Sequence, residues 1–231
     1  MRDLRQDLTG LWRLVSQVAS PKGGRIILFI AAHPGEGTSS VAASFALMAA
    51  ARSAKTAWIV DLDLRRNSQY TSFAQGIIKD TGRPAHALDA SLGAEQIYSV
   101  AGHESDPAYG KLLNAHQIDG QRLLVTRFRN DRLAPGQRVQ LKSSPGWWNA
   151  LRAAADWIVI DAPAAARSRA GLVFAAQADG VVIVVKADET PAADVQALRQ
   201  DIEVHGGRVI GIVMNRLQDD ARLAGRFEGM T

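Results

Sequence analysis

Six short apolar runs constrain this chain more than any other feature: RIILFIAA (25–32), TAWIVDLD (56–63), QRLLVTRF (121–128), DWIVIDAP (156–163), DGVVIVVKA (179–187) and RVIGIVMNR (208–216). Each is nearly continuous in aliphatic and β-branched residues rather than alternating, which is the pattern of strands buried on both faces. Helix-like stretches lie between them. Residues 39–52 are rich in Ala, Met and Leu, and Thr190 followed by Pro191 reads as the N-cap and first-turn proline of a helix that runs to residue 204 and stops at Gly206 and Gly207. This alternation argues an α/β fold, a doubly wound, mostly parallel sheet flanked by helices, with ligands at the carboxyl ends of the strands. The 231 residues are enough for one such domain over residues 25–216. Before it, Leu4, Leu8, Leu11, Trp12, Val15 and Val18 recur at helical spacing and predict an amphipathic helix within residues 1–20. Its apolar face would either pack on its own domain or dock on a partner subunit or membrane surface. Residues 70–120 show no sustained period and are expected to form an irregular surface excursion, and residues 217–231 a C-terminal segment.

Composition removes several function classes. No apolar run approaches the roughly 20 residues that a membrane-spanning helix needs. The chain has no cysteine, which excludes disulfides, thiolate metal sites and cysteine nucleophiles. The amino terminus, MRDLRQDLTG, has no apolar segment of the secretory kind, so a cytoplasmic location is the expectation. The net charge of +4 is spread along the chain with no basic run longer than Arg65-Arg66, so no nucleic acid partner is expected. The five histidines are too far apart in sequence to form a local metal motif.

The run 25–32 leads directly into His33-Pro34-Gly35-Glu36-Gly37-Thr38-Ser39 and then into a helix. Strand, tight glycine turn and helix N-terminus are the context in which backbone N–H groups cradle phosphate. The pattern G-x-x-x-x-G-K-[ST] is met only in part: Gly37 and Ser39 are in place, Ala32 stands at the first glycine and Thr38 at the lysine. Two other runs end in acids, Asp61 and Asp63 in one and Asp161 in the other. Carboxylates at strand ends beside such a loop suit a hydrated Mg²⁺ shared with phosphates, because Mg²⁺ takes one or two carboxylates and keeps several waters.

With their order and spacing, HPGEGTSSVAASFALMAAARSAKTAWIVDLDLRR, SSPGWWNALRAAADWIVIDAPA and ADGVVIVVKADETPAADVQALRQDIEVHGGRVIGIVMNR resemble the cytoplasmic P-loop ATPase domain of bacterial tyrosine kinases. That family serves capsule and exopolysaccharide chain-length control and is related to the Min and Par ATPases. The resemblance spans residues 25–216. It implies a Walker A loop over Gly35, Glu36, Gly37, Thr38, Ser39 and Ser40, with Ser39 as the Mg²⁺ hydroxyl. It implies Asp61 and Asp63 as the carboxylates that bind Mg²⁺ through water and help activate the attacking hydroxyl, Asp161 as a metal-site aspartate, and Asn215 as the residue that reads adenine.

Departures from the family pattern matter as much. Thr38 replaces the lysine that spans the outer phosphates, and His33 stands where the Min and Par class has a second lysine. Losing one charge-assisted hydrogen bond, worth about 1.5–3 kcal/mol, implies Mg-ATP or ADP binding weakened on the order of 10- to 100-fold. Lys186 and Arg65 are the candidate replacement cations. The stretch NRLQDDARLAGRFEGMT carries no tyrosine, so the tail substrate of the kinases is not found in it; the tyrosines are Tyr70, Tyr98 and Tyr109. Of the ring-forming E-x-x-R-x-x-R pattern only an acid and Arg13 persist. These features imply a regulatory or accessory subunit with weak or absent ATP turnover, meeting an inner-membrane polysaccharide chain-length or export protein through the N-terminal helix or the strand-end face, with homo-oligomerisation left open. The alternatives are an active ATPase or tyrosine kinase using a substitute cation, and a Min/Par-type positioning ATPase.

Overall fold

The six apolar runs become six neighbouring parallel strands in a computed structural model, which describes residues 1–76, 78, 81–103, 106 and 109–216. The segment 217–231 lies outside the described residues. The strands are β1 (Arg25–Ile30), β2 (Ala57–Asp61), β3 (Pro84–Asp89), β4 (Tyr98–Val100), β5 (Leu113–Ile118), β6 (Leu123–Phe128), β7 (Val139–Leu141), β8 (Trp157–Asp161), β9 (Gly180–Lys186) and β10 (Val209–Asn215). The helices are α1 (Thr9–Ser16), α2 (Thr38–Ala50), α3 (Ser68–Ala74), α4 (Pro145–Ala154), α5 (Ala170–Val173) and α6 (Ala192–Val204). The main sheet runs β10-β9-β1-β8-β2-β6-β5-β3, parallel from β10 to β6, with β5 and β3 added antiparallel at the far edge.

Both faces are covered, which is why the central strands are apolar without alternation. Ile26, Leu28 and Ile30 of β1 meet one buried layer with Trp147, Trp148 and Leu151 of α4 and Leu198 and Ile202 of α6. Ile27 and Phe29 meet the other, built on α2, whose residues from Val41 to Ala50 are all buried. The alanines of α2 let its axis lie close to the sheet. A bidentate ion pair, Arg152 Nη1 to Asp179 Oδ2 at 2.6 Å and Nη2 to Oδ1 at 3.0 Å, ties α4 to the start of β9 at the opposite end from the loop.

Two sequence expectations change in detail. Residues 70–120 are not only a surface excursion, because β3 and β5 within them extend the main sheet, and β4 pairs with β7 in a separate two-stranded sheet. No period shows because β3 is exposed along most of its length, β4 has only three residues and β5 carries polar Asn114, His116 and Gln117. The helix near residue 190 has Pro191 as its N-cap and starts at Ala192, because the Thr190 hydroxyl is engaged elsewhere. The N-terminal apolar stripe is turned inward. Leu4, Leu8, Val15 and Val18 are buried, and Trp12 stacks between Phe45 and Trp157 with ring centroids 5.6 and 4.9 Å away. Gly211 in β10 lets α1 pass this closely, since a Cβ there would sit 2.8 Å from Leu14.

If the amino-terminal residues are part of this core, Leu8→Ala lowers the unfolding free energy by about 2–4 kcal/mol, the usual cost of emptying a buried leucine site. Chemical denaturation with the natural chain alongside measures it, and an unchanged midpoint would mean the segment is only an appendage.

Candidate functional site

The turn between β1 and α2 has the geometry of an anion cradle. Gly35 and Gly37 have φ of 89° and 93°, values that favour glycine, and Gly37 is the N-cap of α2. No side chain caps that helix end; the Ser40 and Val41 N–H groups turn back to the Gly37 carbonyl at 3.0 and 3.1 Å, which leaves the Thr38 and Ser39 N–H groups to face the space in front of it. Gly37 is required a second time, because a Cβ there would come 2.0 Å from Asn215 Nδ2.

Two of the residues expected at the ligand instead brace the loop. The Glu36 carboxylate is buried and accepts the His33 N–H at 3.1 Å and the Thr190 hydroxyl. Asn215, at the end of β10, donates its amide to the Glu36 carbonyl at 2.8 Å and accepts the Arg216 N–H at 2.9 Å. His33 reaches across to Asp194 at the start of α6, Nε2 to Oδ2 2.8 Å. The loop is thereby tied to both β9–α6 and β10. In front of it lies a cavity of about 270 Å³ lined by Gly35, Gly37, Thr38, Ser39 and Ser40 among others.

Asp61 and Asp161 arrive together because β2 and β8 are in register, with Ala57 opposite Trp157 and Asp61 opposite Asp161. Ile59 and Val159, two residues earlier, lie in the α2 layer, so both carboxylates point to that same face, toward the first turn of α2. Both are 3% exposed. Asp61 accepts N–H bonds from Asp63 at 2.8 Å and Gln69 at 2.9 Å, and the Ser68 hydroxyl at 3.1 Å. Gln69 Nε2 donates to Asp161 Oδ2 at 2.6 Å and to the Ser39 carbonyl at 3.0 Å, joining the two carboxylates to the loop. Nothing in the sequence marks Gln69 as part of the site; its spacing of one helical turn after Asp63-Leu64-Arg65 acquires meaning only once α3 folds back over the strand ends.

Among the described residues no cationic side chain pairs with these carboxyls. Burial pushes Asp61 up to about 6, against the pull of its hydrogen bonds, and burial together with the neighbouring Asp61 charge pushes Asp161 up to about 7, against the Gln69 amide and the Ser39 hydroxyl. Asp161 Oδ1 and Gln69 Oε1 are buried and have no hydrogen-bond partner among the described residues. A buried carboxylate oxygen left open beside the Ser39 hydroxyl fits a hydrated divalent cation. Among the described residues no group of three or more His, Cys, Asp or Glu could enclose a metal, so a cation here would take its remaining ligands from water and phosphate.

Asp63 is placed differently. It faces Arg167, Nη2 to Oδ2 2.5 Å, with Arg66 Nε 3.9 Å from the same oxygen. Lys186 is paired with Glu189, and Arg65 lines a separate neighbouring cavity of about 560 Å³. Neither replacement cation expected from the sequence therefore lines the loop cavity; Arg66, Arg167 and Arg216 do.

The raised carboxyls set a pH dependence. Their folded pKa values exceed the unfolded ones, so between about pH 4 and 7 the native state binds more protons and unfolding free energy falls as pH rises. Asp161→Asn is expected to flatten that slope and to stabilise the protein at pH 8 by about 1–3 kcal/mol, read from denaturation curves at pH 5 and pH 8. A slope unchanged by the substitution would mean the charge is not buried.

No family model matches the chain. Over 203 residues it is 28% identical to the succinoglycan biosynthesis transport protein ExoP of Rhizobium meliloti (strain 1021), covering 87% of this chain but 23% of that protein. The VpsO kinase domain superposes with a TM-score of 0.61 at 19% identity, covering 93% of this chain and 95% of that one. The kinase domain of Escherichia coli tyrosine kinase ETK gives 0.58 at 16% identity, with 93% and 77% covered. Cell division ATPase MinD of Pyrococcus furiosus gives 0.57 at 17% identity, with 85% and 74% covered. In its fold, and in the order of its sequence motifs, the chain resembles the cytoplasmic P-loop domains of bacterial tyrosine kinases.

Proposed function

We propose that this protein is a kinase-like regulatory or accessory subunit in exopolysaccharide or capsule biosynthesis and export, cytoplasmic, with a P-loop site that binds Mg-ATP or ADP weakly and turns it over slowly or not at all. One observation carries the reading. Thr38 opens α2 at the mouth of a formed phosphate cradle, where its side chain offers no positive charge. Phosphoryl transfer relies on positioned cations, so losing one at this position affects turnover more than binding. The engagement of Asp63 by Arg167 supports slow chemistry, because the carboxylate oxygen is occupied by the guanidinium rather than free to meet an attacking group. If Mg²⁺ binds, Ser39 and Asp161, with Asp61 through water, are the groups that would hold it, and it would supply charge neutralisation among phosphates.

The similarity to a succinoglycan transport protein supports the polysaccharide connection, although this chain spans 23% of that protein's length. The partner we propose is an inner-membrane polysaccharide chain-length or export protein. Since the N-terminal apolar stripe is covered by the chain itself, the strand-end face is the better docking surface. Among the described residues no helix is long and apolar enough to cross a membrane.

A second reading, an active ATPase or tyrosine kinase, is favoured by the convergence of Ser39, Asp61 and Asp161. Calorimetric titration of Mg-ATP separates the two. Thr38→Lys is expected to tighten binding on the order of 10- to 100-fold, while the natural chain binds weakly and hydrolyses slowly. Tight binding with fast hydrolysis by the natural chain, lost in Asp61→Asn, would favour the active enzyme. No change on introducing the lysine would mean the loop is not arranged to hold phosphates.

A further inference from the structure

We infer that the positive charge missing at position 38 is supplied by Arg167, delivered from the turn after β8, and that Asp63 is the counter-ion of this arginine rather than a metal or catalytic carboxylate. The inference rests on reading the loop as a site for the polyphosphate of a nucleotide.

Backbone pairing fixes where Arg167 stands. Beyond Asp161 the chain continues alongside the residues that lead into the loop. Ala165 N–H donates to the Ala31 carbonyl at 2.9 Å and Ala166 N–H to the Ala32 carbonyl at 3.0 Å. A tight turn follows, with Arg167 N–H and Ser168 N–H both on the Ala164 carbonyl at 2.9 and 3.1 Å. Position 167 is thus anchored by main-chain hydrogen bonds beside the glycine turn, and its side chain lines the same cavity as Gly35, Gly37, Thr38 and Ser39. An arginine held this way needs little ordering to meet an anion.

Charge in that cavity favours a polyanion. The guanidinium groups of Arg66, Arg167 and Arg216 line it, and Asp63 faces the first two. Arg167 uses Nη2 on Asp63 and has further donors in its planar fork, which matches phosphate oxygens bidentately. Its side chain is 37% exposed, so solvent reaches the ion pair and phosphate can compete with Asp63 for it. In the free protein Asp63 holds the guanidinium in place and at the same time masks part of its charge.

A reversed sign follows for Asp63. Were it a metal carboxylate, removing its charge would weaken nucleotide binding; as the counter-ion of Arg167, removing it frees the guanidinium and tightens binding.

Calorimetric titrations of the full chain with ATP test this, first in EDTA so that metal is out of the comparison, then with Mg²⁺. Arg167→Ala is expected to weaken binding about tenfold or more, Arg167→Lys to recover part of it without the fork, and Asp63→Asn to tighten it several-fold in EDTA. In a Thr38→Lys background Arg167→Ala should cost less, because the lysine takes over. Thermal unfolding of each variant shows that the fold is intact. The inference is overturned if Arg167→Ala binds like the natural chain while Thr38→Lys tightens binding, if only the Thr38→Lys variant binds at all, or if Asp63→Asn weakens binding in EDTA. If neither the natural chain nor Thr38→Lys binds ATP, the nucleotide reading of the loop itself fails.

Discussion

The parallel register of β1, β8 and β2 is the constraint on which the site depends. It sets Asp61 and Asp161 directly opposite each other and aims both at the face that α2 covers. Because side chains alternate faces along a strand, a slip of one residue would move a carboxylate to the α4 layer, away from the loop. The same pairing continues beyond the strands, where Ala162, Ala165 and Ala166 donate to the carbonyls of Phe29, Ala31 and Ala32 and keep the post-β8 turn beside the glycine turn. Loop, carboxylates and Arg167 are thus positioned by one continuous set of main-chain hydrogen bonds.

Electrostatically the site is divided. Asp61 and Asp161 lie deep, reached by amide and hydroxyl donors and, among the described residues, by no cationic side chain, and burial raises both. The arginines lie at the rim, where Arg167 and Arg66 face the largely buried Asp63. A buried carboxyl pair with an open oxygen is a local cost in stability that a divalent cation would offset, since it favours the charged forms that burial disfavours. The rim and the interior therefore suit different parts of one ligand, phosphate oxygens outside and a hydrated metal inside.

The parts of the chain beyond the central strands act on this arrangement indirectly. Glu36 and Asn215 brace the loop from β9–α6 and β10, and α3 brings Gln69 across to bridge Asp61, Asp161 and the Ser39 carbonyl. The amino-terminal residues close the α2 layer through Leu4, Leu8, Val15 and Trp12, which removes their apolar stripe from the surface and leaves the strand-end face as the chemically distinctive one.

The buried runs, the glycine turn, the acids after β2 and β8 and the threonine at the lysine position were all legible in the sequence, because each is a local pattern: continuous apolar residues need two covered faces, and a strand-glycine-helix sequence has few conformations. Strands β3, β5 and the short β4 were not legible, since β3 is exposed along most of its length, β4 has only three residues, and β5 carries the polar Asn114, His116 and Gln117 among its apolar residues. Nor were the positions of Gln69 and Arg167 beside the strand ends, or the hydrogen bonds of Glu36 and Asn215 at the loop. Those depend on which strand ends become neighbours, a matter of sheet order and register between residues as much as 179 positions apart. Local sequence determined that a glycine turn joins a buried strand to a helix and that acids end two other strands; only the tertiary pairing decided which charges face them, because side chains distant in the chain meet through hydrogen bonds that no short stretch encodes.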